Sequence, residues 1–273
     1  MRVVAFSDQY RAIADLYGMT SAELETRDRS HPRQRWFVLD GSTPLAAATA
    51  VSRPDDRTFL AFVGDVTGYG PLVGTVADEL AEDLYTTVAE TDPSRDAVLR
   101  GAGFETEVTT ERFEIRFETA RAALSRFRVP VGFACEPAGD VDEEQLFSLD
   151  NAIRNLVPGL DGWQGNREWF RAELTDPAAY QVAIDLGTGT YAGLARMWRN
   201  PNGAHFGLVG VDAAYRRLRL GPALLNRVIR EAAQWGHRTF TADAALTNRL
   251  VHPRLLGLGA TSLGKTTQLV LRR

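Results

Sequence analysis

Apolar positions along this chain follow two periods, and runs of each kind recur twice in the same order. "WFVLDGSTPLAAATAVSRP" (Trp36–Pro54) and "QVAIDLGTGTYAGLARMWRNP" (Gln181–Pro201) each give an apolar strand, an Asp-Gly or Leu-Gly turn and a second strand. That pattern predicts a hairpin in each half. "TFLAFVGDV" (Thr58–Val66) and "AHFGLVGV" (Ala204–Val211) follow as further strands, rich in β-branched and aromatic residues. A Gly-Pro pair comes next in both halves, at Gly70 and Gly221, and opens a run with helical spacing. Proline just inside a helix start lacks only an amide that has no partner there anyway. Finally "VLRGAGF" (Val98–Phe104) echoes "RLLGLGA" (Arg254–Ala260), and a strand follows each. The shared order predicts two copies of one α+β unit, over 1–118 and 130–273, joined by 119–129 with Pro130 ending the connection.

The stretch from Val211 to Leu225 concentrates the chemistry. A strand ending at Val211 opens into a turn, and a helix begins near Gly221. Unpaired amides and the positive end of a helix dipole favour a phosphate at such a place. Arg216, Arg217 and Arg219 add charge at its mouth. A strand–loop–helix connection with a solvated arginine face fits the same spacing. The matching turn of the first half, "GDVTGYGP", is shorter, has no arginine and carries Asp65, the wrong charge for a diphosphate.

Composition narrows the classes. With 44% hydrophobic and 24% charged residues the chain reads as an ordinary globular protein. A net charge of −4 argues against a broad nucleic-acid surface but leaves room for a small anion at a local basic patch. Of 31 basic residues only Lys265 is lysine, which disfavours a lysine nucleophile or Schiff base, since arginine stays protonated. The single cysteine, Cys135, excludes an intramolecular disulfide and a cysteine metal cluster, and reads as a buried bystander. No run reaches the ~18 apolar residues of a membrane helix, and the charged N-terminal stretch is unlike a signal peptide. The expected address is cytoplasmic, with no membrane partner.

The C-terminal half resembles the GNAT superfamily of acyl-CoA N-acyltransferases. Val211, Tyr215, Arg216 and Gly221 match the family's acyl-CoA turn, "ALL" (Ala223–Leu225) continues it, and Asn248 and Gly259 have the spacing of a later family segment. The ordered pair of units is similar to tandem GNAT proteins of the mycothiol synthase type, in which one half is degenerate. The resemblance implies a mixed, mostly antiparallel sheet flanked by helices in each unit. It further implies acetyl-CoA or another acyl-CoA as co-substrate, no metal, and a small-molecule amine as acceptor, in a monomer or homodimer. Coenzyme contacts are expected from the strand residues Leu208, Val209, Gly210 and Val211, the turn residues Arg216, Arg217, Leu218, Arg219, Leu220, Gly221, Pro222 and Ala223, and Asn248. Arg219 stands at the motif's first glycine and Arg217 where glycine is frequent; each keeps its amide, at a steric cost if φ must be positive.

For proton transfer the family strand often carries a glutamate, and here it carries none. His205 holds a place resembling the proton-path histidine of serotonin N-acetyltransferase, and a histidine titrates near neutral pH. A strand-edge histidine bonded to backbone is the alternative. The usual tyrosine acid is replaced by Leu255; His252 stands nearby, and Asp243 ends a strand beside the cleft, to orient an amine or to cap a turn. Asp161, Trp163 and Trp169 are expected at the acceptor side, as a carboxylate for a cationic amine and an apolar wall, or as packing residues. Rival readings keep the fold and drop the catalysis, as a CoA-binding regulatory module, or make the chain an aminoacyl-tRNA-dependent transferase with a basic RNA-facing surface.

Overall fold

A computed structural model describes residues 1–7, 9–30, 33–53, 55–157, 160, 162–174, 177–200 and 203–273. The chain divides into two units, Met1–Thr109 with Thr266–Arg273, and Thr110–Lys265. The first contains β1 (Arg2–Ala5), α1 (Tyr10–Ile13), α2 (Ser21–Ser30), β2 (Arg35–Asp40), β3 (Thr43–Ser52), β4 (Thr58–Gly64), α3 (Tyr69–Leu80), β5 (Leu84–Ala89), α4 (Pro93–Gly101) and the start of β6 (Glu105–Arg116). After α5 (Phe117–Leu124) the second contains β7 (Phe133–Pro137), α6 (Glu143–Arg154), α7 (Arg167–Glu173), β8 (Tyr180–Asp185), β9 (Tyr191–Asn200), β10 (Gly203–Val211), α8 (Leu220–Ala232), β11 (Thr239–Ala245), α9 (Val251–Gly257) and the start of β12 (Thr261–Leu271). Both units therefore follow one order, β-α-α-β-β-β-α-β-α-β.

Pairing repeats as well. The first four strands of each unit are antiparallel neighbours, and β4–β5 and β10–β11 are parallel. The closing strands are exchanged: Thr266–Leu271 of β12 pair antiparallel with β5, while Thr110–Arg116 of β6 pair antiparallel with β11. The segment read from sequence as a connection carries α5, whose Phe117, Ala120 and Leu124 are buried in the second unit's core.

The helices form where apolar spacing and caps agree. On α8, Leu220, Ala223, Leu224, Val228, Ile229 and Ala232 are buried, a stripe three and four residues apart that packs on one sheet face with α5. On α6, Asp142 caps the first turn by accepting from the Gln145 amide, and Leu146, Leu149 and Ile153 cover the other face, around Tyr180, Leu194 and Leu208. The first unit packs α3 on its sheet through Leu72, Val73 and Val76. No helix of the described residues is long and apolar enough to cross a membrane.

Candidate active site

β10 and the turn after it lie between the two faces of the second unit. β10 pairs with β11 only over Ala204–Phe206, so the two strands part beyond that point. They part at a bulge, where the register with β9 shifts between Phe206 and Leu208. The extra residue is Gly207, and a Cβ there would lie 2.6 Å from the Trp198 ring. One inserted residue inverts the alternation of side chains. Ala204 and Phe206 face the α8 core before the bulge, Val209 and Val211 after it. Leu208 joins the α6 cluster, and Gly210 lets α6 approach so closely that a Cβ would fall 2.2 Å from Ile153.

Backbone groups follow the same logic. The Asp212 amide donates to the Ala192 carbonyl at 2.9 Å. In an antiparallel pair every second residue exchanges bonds with the partner strand, so Gly210 and Leu208 turn their peptide groups to β9. Val209 and Val211 turn theirs to the side that β11 has left. Of the strand residues expected to contact the coenzyme, Val209 and Val211 therefore have their amides on the open edge, Val209 within the strand and Val211 at its end.

The turn itself is held at both ends and open between. Asp212 accepts from the Ala214 amide, the Tyr215 amide donates to the Asp212 carbonyl and that of Ala223 to the Arg219 carbonyl. Between these, the amides of Arg217, Leu218, Arg219, Leu220 and Gly221 have no partner among the described residues. Arg217 and Arg219 sit at φ 71° and 63°, in the left-handed region that glycine favours. Each non-glycine residue held there costs about 1 kcal/mol or more. The arginines thus adopt the glycine conformation rather than avoid it. Their side chains are exposed beside the N-terminus of α8. Gly221 has room, its nearest neighbour to an added Cβ being Val211 Cγ2 at 3.7 Å.

On the α6 face, β6, β11, β10 and β9 present Arg112, Thr241, Asp243, His205 and Trp198. His205 Nδ1 lies 2.9 Å from Thr241 Oγ1, and its ring stacks on Trp198 with centroids 5.6 Å apart and planes 5° from parallel. Burial holds the imidazole below its usual value; Asp243 pulls it back up and Arg112 adds to the depression. Asp243 is gripped by Arg112 through two hydrogen bonds, of 2.8 and 2.9 Å. Its carboxylate is therefore a fixed charge near the histidine, not a free base.

The remaining expected residues fall in several places. Trp163 is buried, edge-on to the half-buried Trp169, and the Arg154 guanidinium lies over both rings. Arg154 in turn pairs with Asp150, which also accepts from the Tyr180 hydroxyl at 3.0 Å. Trp163 packs in this network, whereas Trp169 keeps an accessible face. Asp161 lies outside the described residues. Asn248 is half-buried in the turn after β11, its amide bonded to the Ala245 carbonyl. Leu255 is a core residue, 5% exposed. His252 stands 3.6 Å from Glu111 and against Phe113, away from β10. Burial pushes the Cys135 thiol up to about 11, which leaves it inert. No group of three or more metal-ligating side chains occurs among the described residues. Sequence reasoning missed Trp198, Thr241 and Arg112, the three residues that fix His205 and Asp243.

Residues 145–255 match the family model described as "Acetyltransferase (GNAT) family". No curated protein is similar enough in sequence to count as a relative. Among solved structures, a GCN5-related N-acetyltransferase from Sphaerobacter thermophilus superposes with a TM-score of 0.70 at 16% identity, over 99% of this chain and 96% of that one. A tandem GNAT protein from the clavulanic acid biosynthesis pathway gives 0.65 at 14% identity, covering 99% and 98%. The glucosamine N-acetyltransferase region of a fungal multi-domain enzyme gives 0.64 at 11% identity, covering 98% of this chain and 38% of that one. At these identities the structures establish a shared fold, tandem in arrangement.

Proposed function

We propose, from the match of residues 145–255 to the GNAT acetyltransferase family model, that the second unit transfers an acetyl or other acyl group directly from acyl-CoA to a primary amine of a small molecule. One observation carries this reading: five successive amides, Arg217–Gly221, stand unpaired at the N-terminus of α8 with arginines beside them. That is the donor set a diphosphate needs. The group fits, since the donors are free and Gly221 leaves space above them.

When bound, acyl-CoA would supply the thioester carbon that the amine attacks; the C–S bond breaks as the C–N bond forms, and CoA leaves as a thiolate that takes up the proton the attacking nitrogen sheds. The chain contributes position and polarity. The Val209 amide, on the open edge of β10, polarises the acyl oxygen, an effect of a few kcal/mol for one well-aimed donor. His205 is neutral at pH 7, because burial depresses its pKa. With Nδ1–H given to Thr241, its Nε2 lone pair accepts the proton of the incoming ammonium, directly or through water. Asp243, clamped by Arg112, steers that cationic amine. Trp169 offers the acceptor an apolar face. In the first unit Asp65 closes the corresponding turn, which supports a structural or cleft-shaping role there.

Leu255, an aliphatic side chain where relatives carry a proton donor, and the lack of a carboxylate on β10 favour one rival: coenzyme binding without turnover. Calorimetry with acetyl-CoA and a free-thiol assay over a panel of primary amines separate the two. Binding together with amine-dependent thiol release is the expected result. Binding with no release for any amine would establish the regulatory module instead.

A further inference from the structure

At the C-terminal end of α8 the second unit has a hollow of about 630 Å³. Roughly 18 Å of helix axis separates Gly221, in the diphosphate turn, from Ala233 at this hollow. Five guanidinium groups surround it, Arg116, Arg121, Arg128, Arg230 and Arg238, against one carboxylate, Glu118. Arg128 donates to the Ser125 and Phe127 carbonyls just past α5. Among the described residues the other four arginines take part in no ion pair.

The charges do not balance internally. The C-terminal ends of α5 and α8 reach the hollow, and each carries about half a negative charge. With Glu118 these offset two of the five positive charges, leaving about three unmet. A smaller hollow of about 460 Å³ shares Arg121, Arg128 and Arg230 and adds Arg227 and Glu231, which cancel. The floor is firm: Phe117 is 5% exposed, and Asn226, 7% exposed, donates to the Phe127 carbonyl at 3.0 Å. Arginine as such says little here, since all but one of the 31 basic residues are arginine. Their convergence on one concavity, in a chain of net charge −4, is what requires a counter-charge.

The geometry points to a second anion site, remote from the acyl-CoA turn, that takes a small molecule bearing two or three negative charges on phosphate or carboxylate groups. The volume lies within the range of small-ligand pockets, and guanidinium forks bind both groups bidentately. A nucleic acid or an acidic peptide would need a longer basic track than this one hollow.

Calorimetric titration of inorganic pyrophosphate and of citrate at physiological salt tests the site. Wild-type protein, Gly221→Asp and the double variant Arg121→Glu/Arg230→Glu are compared, with melting curves to confirm folding. Expected are binding by the wild type, its persistence in Gly221→Asp, and a loss of at least tenfold in the double variant with acetyl-CoA affinity unchanged. Tighter pyrophosphate assigns phosphate ligands to the site, and tighter citrate assigns carboxylates. The inference is overturned if neither probe binds the wild type, if the double variant binds equally well, or if Gly221→Asp alone removes binding. Tighter binding of tRNA or polyglutamate at this hollow would also overturn it.

Discussion

The turn rich in glycine is shut, and the turn in which arginine replaces glycine is open. In the first unit Asp65 folds back over the turn after β4, its carboxylate accepting from the Thr67 amide at 2.9 Å and the Thr67 hydroxyl at 2.8 Å. The amides of Gly68 and Tyr69 donate to the Asp65 and Val66 carbonyls. A Cβ on Gly68 would fall 2.6 Å from Val38, so that glycine serves packing rather than a ligand. In the second unit Arg217 and Arg219 hold positive φ, and the amides from Arg217 to Gly221 have no acceptor among the described residues. An anion site is thus defined by where its nitrogens point and by the lack of an internal acceptor, not by its count of glycines.

The largest effect should come from closing the open turn as the other is closed. Gly221→Asp sets a carboxylate beside the amides without a clash, and acetyl-CoA affinity should fall at least 100-fold by calorimetry while the melting temperature hardly moves. Unchanged affinity would break the comparison. Next, His205→Ala should lower turnover about 10²-fold, the scale of one acid–base group, with coenzyme affinity intact. In the wild type the rate should fall only below pH 6.5, since the neutral imidazole is the active form and burial holds its pKa under that value. The unfolded chain binds that proton more readily than the folded one. Stability should therefore decline as pH drops below 6.5 and level off under the folded pKa. A pH–rate curve that the substitution leaves unaltered would remove His205 from the mechanism.

Arg219→Gly should act in opposite directions on stability and binding. Relief of the positive φ is expected to stabilise the protein by about 1 kcal/mol in urea unfolding, while the lost cation weakens acetyl-CoA severalfold. Tighter binding instead would mean that the strain opposes the ligand. The smallest effect belongs to Asp65→Asn, which should gain no coenzyme binding in the first unit. Hydrogen bonds from Thr67 hold the Asp65 carboxyl below its usual value. The stability it adds is present above the unfolded pKa and lost as pH falls through the folded one, so wild type and variant melting curves should converge in acid.

Local signals made much of this legible. Hairpins, the Gly-Pro helix starts and the repeat order follow from short-range pattern, and the structure reproduces each. Trp198 could have been found as well: counting back along the two strands from the Asn200–Gly203 pair sets it opposite His205. Thr241 and Arg112 could not: Thr241 meets His205 only through the parallel pairing of β10 and β11 across α8, and Arg112 meets Asp243 through pairing between residues more than a hundred positions apart. The positive φ of Arg217 and Arg219 was hidden for a different reason. Side-chain identity suggests avoidance of that region, and only the surrounding turn imposes it. The basic hollow is likewise invisible in sequence, where its arginines come from the end of β6, α5, the segment after it, α8 and the segment before β11 with no shared motif.

The exchanged strands carry a consequence for how the chain is made. In the first unit β5 has β4 on one side, but its other edge stays unpaired until Thr266–Leu271 have been synthesised. Its sheet therefore waits on the ribosome while the second half emerges. A fragment cut at the apparent midpoint would carry an uncovered strand edge, prone to pair with its own kind, and the two halves would have to be co-expressed to mature.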